Sequence, residues 1–286
     1  MLRHRLPTGA LLIAGLVGLM WLDAAGERFG WPRGVVLFCC FFLVLAPLMA
    51  RELAALFRGA GVRTETSVCV AAAWGGVVAT AGFPGAPAPS PDTLALAVSL
   101  LTLVAVIAAA GGREARGASA AAAAPLLAFV ACGVLPGFWL KVRDQFGAEA
   151  LVACVLTVKA SDIGAYATGH LIGRHKLIPW LSPGKTWEGV AGGVVFSALV
   201  AMAFAAAGAG RPGVPGVGAA AVAGALLAVA GVVGDLSESL LKRDAGAKDS
   251  GRLLPGMGGV LDVVDSLLPA GPLAWVLLRQ AAMNGG

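Results

Sequence analysis

Apolar stretches approaching 20 residues recur along the whole chain, separated by short polar connections, and this pattern restricts the fold more than any other feature. A helix needs about 20 consecutive apolar residues to cross about 30 Å of hydrocarbon, and it satisfies its own backbone groups while doing so. The stretches fall at approximately 8–22, 34–50, 66–82, 93–110, 118–138, 148–168, 187–208, 217–237 and 261–280. No segment of about 10 residues alternates apolar with polar as a membrane barrel requires, so strands are not expected. The expected fold is an all-α, polytopic integral membrane bundle of about nine transmembrane helices, in a single membrane domain over 1–286. Composition excludes the other classes. Only 13% of residues are charged and 58% are hydrophobic, where soluble domains carry about 25% charge. The mean hydropathy of +0.84 rules out disorder, a coiled coil or an ordinary soluble fold. The five cysteines lie inside apolar runs without metal-ligand spacing and read as small hydrophobes.

Basic residues orient the spans. With the N-terminus cytoplasmic, fourteen of the 21 Lys and Arg residues fall on cytoplasmic connections, among them Arg3, Arg5, Arg58, Arg113 and Arg116. Six, including Arg28, Arg33, Arg143 and Arg211, fall on the opposite side, and Lys159 lies within a span. That bias follows the positive-inside rule. A cleaved signal peptide is a competing reading of the first span, but its removal would break the charge alternation. The net charge of +5 therefore reports topology and anionic headgroups. No basic patch is interleaved with aromatics, and Tyr166 is the only tyrosine, so nucleic acid is not an expected partner.

Carboxylates are costly in a bilayer, which makes their positions informative. Six of the sixteen, Asp235, Glu238, Asp244, Asp249, Asp262 and Asp265, fall between residues 235 and 265, together with Lys242, Arg243, Lys248 and Arg252. A solvated loop laced with ion pairs would account for such a run. Three details point instead to a metal and a phosphate. Asp235 follows the apolar run 226–234 directly. Asp262 and Asp265 are three apart at the start of the last span, which places both on one helical face at a helix N-terminus. The turn Pro255-Gly256-Met257-Gly258-Gly259 leads into that helix and lets backbone amides approach a ligand. Paired carboxylates suit Mg²⁺, which completes its octahedron with water and substrate phosphate, and nearby Lys and Arg clamp phosphates.

A second polar island comprises Lys159, Ser161, Asp162, Tyr166 and Gly169, then Ser182-Pro183-Gly184-Lys185-Thr186-Trp187-Glu188. Asp162 and Tyr166, four apart, can both face the bundle interior. Lys159 and Asp162 can equally form a purely structural pair, and Ser182 can cap the following helix with Glu188 in its first turn. His170 and His175 lack zinc spacing.

These blocks resemble the phosphatidate cytidylyltransferase (CDP-diglyceride synthase) family. The resemblance rests on Ser239-Leu240-Leu241-Lys242-Arg243, then Lys248-Asp249, then Leu254-Pro255-Gly256-Met257-Gly258-Gly259-Val260-Leu261-Asp262-Val263-Val264-Asp265, with the upstream Ser161-Asp162 and Ser182-Pro183 blocks. It covers about residues 159–266, so 146–286 reads as the catalytic half and 1–145 as generic spans. The family usually has a histidine where this chain has Met257 and an arginine where it has Val263.

The resemblance implies transfer of CMP from CTP to phosphatidic acid, releasing pyrophosphate, at the cytoplasmic face of the cell (inner) membrane. It also implies a homodimer surrounded by membrane lipids. Asp235, Asp262 and Asp265 become the expected Mg²⁺ ligands, and a second cation, K⁺ or Mg²⁺, stays open. Asp249, Lys242, Arg243 and Lys248 join them as catalytic candidates. Ser161, Asp162, Tyr166, Ser182, Lys185, Ser239, Gly258 and Gly259 are the expected substrate-binding positions. Two rivals stand beside this reading. A CTP-dependent polyprenol or dolichol-type kinase needs a general base for its hydroxyl acceptor, and none is evident. A transporter would use Lys159 and Asp162 as a pathway.

Overall fold

The computed structural model describes residues 2–110, 117–209 and 214–284; Arg113, Arg116 and Arg211 of the charge count lie outside them. Helix α1 covers Leu2–Arg28, α2 Val35–Gly59, α3 Thr66–Ala81, α4 Pro91–Ala110 and α5 Ala118–Ile172. Strands β1 (Lys176–Ile178) and β2 (Ser182–Thr186) follow, then α6 (Trp187–Ala207), α7 (Val217–Asp244), α8 (Leu261–Val264) and α9 (Leu267–Asn284). Among the described residues, six stretches are long and apolar enough to cross a membrane: α2, residues 91–108 of α4, α5, α6, α7 and residues 261–283; α3 is a shorter apolar helix. The chain is a multi-pass helical membrane protein.

Local chemistry explains the irregularities within these helices. The π-helical turns at Phe41–Leu45 and Phe129–Val134 each run towards a proline, Pro47 or Pro136. Proline lacks an N–H and its ring crowds the carbonyl four residues back; widening the turn relieves both. At 55 residues, α5 would reach roughly 80 Å if straight, far more than one bilayer. Gly147 breaks it at φ 87° and ψ 177°, backbone that side-chain-bearing residues avoid.

The chain divides into two compact units, Met1–Asp144 with Leu241–Val263, and Gln145–Leu240 with Val264–Gly286. In the first, α3 packs on the π turn of α5 with almost no space between backbones. A Cβ on Gly76 would lie 2.9 Å from the Val134 nitrogen, the close approach that small residues permit in lipid. In the second, the buried Ser197 Oγ of α6 lies 2.9 Å from the Thr157 carbonyl of α5 and 2.7 Å from that of Gly224 in α7. One hydroxyl ties three helices.

Two sequence expectations are corrected here. The polar connection at 176–186 is an antiparallel hairpin, pairing Lys176 with Thr186 and Ile178 with Ser182. Its strands have three and five residues, too short for the alternation rule to register. The last span is also not one helix from 261. It stops at Val264, turns at Asp265 and Ser266, and restarts at Leu267. Asp265 Oδ1 accepts a 2.6 Å bond from the Ser266 amide, and such local bonds compete with helix continuation. No continuous helical face therefore carries Asp262 and Asp265 together.

Arg143 is not a solvated connection charge. Only 2% of its side chain is exposed, 2.6 Å from Asp23 Oδ2, and it also pairs with Glu27. Asp23 Oδ1 accepts the Val36 amide at 3.0 Å. Removing one partner of a buried ion pair strands the other charge, at about 3–5 kcal/mol, whereas replacing both with apolar groups is often neutral. Arg143→Met is thus expected to lower the unfolding free energy by about that amount, and Asp23→Leu added to it to restore most of the loss. Denaturant titration of the purified protein in detergent measures both; equal stability of Arg143→Met and wild type would refute the assignment.

Candidate active site

The second unit gathers carboxylates and ammonium groups from four elements. On α5, Lys159 Nζ lies 3.0 Å from Asp162 Oδ2 and donates a 2.9 Å bond to Ser266 Oγ, which in turn donates to Asp162 Oδ2 at 3.0 Å. On α7, Asp235 Oδ2 pairs with Lys185 Nζ of β2 at 2.6 Å, while Ser239 Oγ lies 3.4 Å from Asp235 Oδ1. Asp265, in the turn before α9, is buried within electrostatic reach of Asp235, Lys159 and Asp162. The chains meet tightly there, since a Cβ on Gly234 would collide with the Asp265 carbonyl oxygen and lie 2.8 Å from Pro269 Cδ. Three carboxylates share two ammonium groups.

The hairpin aims Lys185. Thr186 ends β2 and caps α6, its Oγ1 accepting the Gly189 amide at 3.1 Å. Glu188 accepts the amides of Arg174 and His175 at 3.1 and 3.2 Å, and its Oε1 lies 2.5 Å from His175 Nδ1. The helix cap that was the alternative role for Ser182 is made by Thr186, and Ser182 lies half-buried in β2. Ser161 is buried where α5 meets α6, its Oγ 2.9 Å from where a Gly193 Cβ would be. Tyr166 does not face an interior. It is 72% exposed and stacks on His170 with ring centroids 6.0 Å apart.

The first unit holds the other half of the signature. Asp262 is saturated by its own chain: Oδ1 accepts Lys242 Nζ at 2.7 Å, and Oδ2 accepts the amides of Ser250 and Gly259 at 2.8 and 2.7 Å and the Ser250 hydroxyl at 2.8 Å. Gly258, at φ 97°, leaves room for that carboxylate, because a Cβ there would lie 2.5 Å from Asp262 Oδ2. The Gly259 amide, expected to meet a ligand, is thus engaged within the loop. Arg243 Nη1 donates to the Ala247 carbonyl at 3.2 Å, whereas Lys248 and Asp249 are exposed.

Glu52, on α2, was not anticipated. Its Oε1 accepts the Val260 amide and its Oε2 the Leu261 amide, both at 2.9 Å, with Ser250 Oγ 3.3 Å from Oε2. A Cβ on Gly259 would fall 2.6 Å from Glu52 Oε1, and one on Gly251 2.7 Å away, so these glycines make room for it. The only available signal was an acid beside the apolar Leu53-Ala54-Ala55-Leu56, outside the charge cluster.

Of the expected trio, Asp262 belongs to the first unit and Asp235 and Asp265 to the second. Among the described residues, no group of three or more His, Cys, Asp or Glu side chains is placed to hold a metal ion. Asp235 and Asp265 remain a pair of hard oxygen donors with an ammonium already lodged against one of them. That donor set fits a divalent ion that takes one or two protein carboxylates and fills its shell from water and phosphate.

The sequence model of the cytidylyltransferase family matches residues 4–281 of this chain. Proteins named phosphatidate cytidylyltransferase are similar to it. The Mycobacterium leprae protein is 41% identical over 143 residues, 49% of this chain and 43% of that protein. The Mycobacterium bovis protein is 38% identical over 161 residues, 53% of this chain and 51% of the relative. That of Brucella suis is 44% identical over 141 residues, 48% and 49% of the two chains. The chain spans about half the length of the curated relatives it matches.

Removing the Glu52 carboxylate would leave two buried amides unmet, at about 1–3 kcal/mol. Glu52→Ala is expected to speed hydrogen exchange at Val260 and Leu261 by about tenfold or more, and Glu52→Gln by less, because its amide oxygen still accepts one bond. Unchanged exchange at both amides in Glu52→Ala would reject the contact.

Proposed function

The chain belongs to the cytidylyltransferase family, and from that premise we propose that it transfers CMP from CTP to phosphatidic acid, forming CDP-diacylglycerol and pyrophosphate. The names of its relatives support the substrates. The observation that carries the chemistry is the Asp235–Asp265 pair, held among apolar helices with lysines as its cations. A lipid phosphate oxygen bonds to the α-phosphorus of CTP as the bond from that phosphorus to the bridging oxygen breaks, and pyrophosphate carries the electron pair away. The attacking oxygen is already an anion, so no general base is required. The protein's task is to align two polyanions and neutralise them.

Asp235 and Asp265 are the Mg²⁺ ligands in this proposal; the bound ion would neutralise charge on the phosphate oxygens, and a second cation, K⁺ or Mg²⁺, remains part of the proposal. Lys159, bonded to Ser266 and Asp162, keeps a fixed positive charge beside that pair. Lys185, Lys242, Arg243 and Lys248 bind phosphate oxygens. Asp262 serves differently, holding Lys242 and the 250–259 turn in place. Nine spans with a cytoplasmic N-terminus, residence in the inner membrane and assembly as a homodimer complete the proposal. Such a placement puts the site where a soluble nucleotide and a lipid headgroup meet.

Purified protein given CTP, phosphatidate and Mg²⁺ is expected to release pyrophosphate, with chelation of Mg²⁺ stopping release. Release of CDP instead would mark a kinase and overturn the proposal. Asp265→Asn should lower turnover by about 10²-fold or more while the protein still elutes as a folded species, since single electrostatic stabilisers act on that scale. Full Mg²⁺-dependent turnover in that variant would remove Asp265 from the metal site.

A further inference from the structure

We propose that Lys185 is an exchangeable counter-ion: its ammonium occupies the metal's place on Asp235 until Mg²⁺ enters, and the displaced side chain then turns to the nucleotide phosphates. The inference rests on the reading of Asp235 and Asp265 as Mg²⁺ ligands.

Its geometry is direct. Lys185 Nζ lies 2.6 Å from Asp235 Oδ2, with 20% of the lysine side chain exposed. An ammonium at that distance takes up the carboxylate oxygen a metal would need, and its charge repels an arriving cation. Lys159 is anchored differently, by the Ser266 hydroxyl as well as the Asp162 carboxylate. Lys185 stands on the hairpin, where Pro183 and Gly184 just before it are exposed and a Cβ on Gly184 would meet nothing within 4 Å. The two cations therefore differ in kind: Lys159 is fixed by a hydroxyl as well as a carboxylate, and Lys185 meets its carboxylate at the end of a long side chain on the hairpin.

Two consequences follow. The carboxylate pair never stands with both lysines absent, so the membrane-embedded charge is met before metal arrives. Metal entry and lysine release are also linked, so each weakens the other's hold on Asp235 by the same factor. A lysine freed only when the ion is seated clamps a triphosphate only at a site ready to use it. Removing the lysine's charge should then strengthen metal binding, the opposite of what loss of a merely structural contact would do.

The test titrates Mn²⁺ into the purified full-length protein without nucleotide and reads free Mn²⁺ by electron paramagnetic resonance. Lys185→Gln is expected to bind Mn²⁺ about tenfold more tightly than wild type, within the usual range of coupling between sites, and Lys185→Arg to stay near wild type. Equal or weaker binding by Lys185→Gln overturns the exchange. Asp235→Asn separates this from failure of the underlying reading. If Asp235→Asn abolishes Mn²⁺ binding and Lys185→Gln leaves it unchanged, the metal site stands and the exchange falls; if Asp235→Asn binds as wild type does, the metal assignment itself falls. Should Lys185→Gln not fold, the wild-type protein still decides. Mg²⁺ alone must raise acylation of the Lys185 amine by an amine-reactive ester, and unchanged or reduced labelling refutes the proposal.

Discussion

A carboxylate carried into apolar helices must find a cation or a set of amide donors, because leaving it bare at membrane depth costs about 2.5–3.5 kcal/mol or more. In the described structure several carboxylates meet that demand through specific partners. Asp23 has Arg143, Asp162 has Lys159, Asp235 has Lys185 and Asp262 has Lys242, while Glu52 is met by backbone amides. These pairings decide which helices approach one another and which loops are held in one conformation. They also rank the carboxylates by availability. Asp262 is saturated by three donors besides its lysine, whereas Asp235 has a lysine and a distant serine hydroxyl.

That ranking reshapes the proposed chemistry. Three aspartates in one charged window look equivalent when only spacing is considered. In the fold, Asp262 organises a turn and Asp235 and Asp265 form a pair. The glycines of the 251–259 segment admit the carboxylates of Glu52 and Asp262, so their small size serves the loop's own architecture. The N-terminal spans, generic in sequence, contribute through Glu52 to the conformation of the segment that carries Lys248 and Asp249.

Helix placement was legible because its signal is local and repetitive. Apolar runs such as 187–208 and 217–237 returned as α6 and α7, and the 118–138 and 148–168 runs as two stretches of α5 separated at Gly147. The hairpin at 176–186 was not, since strands of three and five residues carry too few positions for a period to show. The break at Asp265 was hidden for another reason: a spacing of three suits a helix, and nothing local announces that a carboxylate will bond to the next amide instead.

Sequence alone determined that this is an apolar, multi-pass helical chain with two polar islands in its second half, because hydropathy and the cost of buried charge act residue by residue. Tertiary structure alone decided which carboxylate meets which partner. Lys185 and Asp235 are 50 positions apart, and Glu52 and Val260 are separated by 208. An ion pair depends on distance in space, and a linear pattern of residue types contains no term for that distance until the helices have packed.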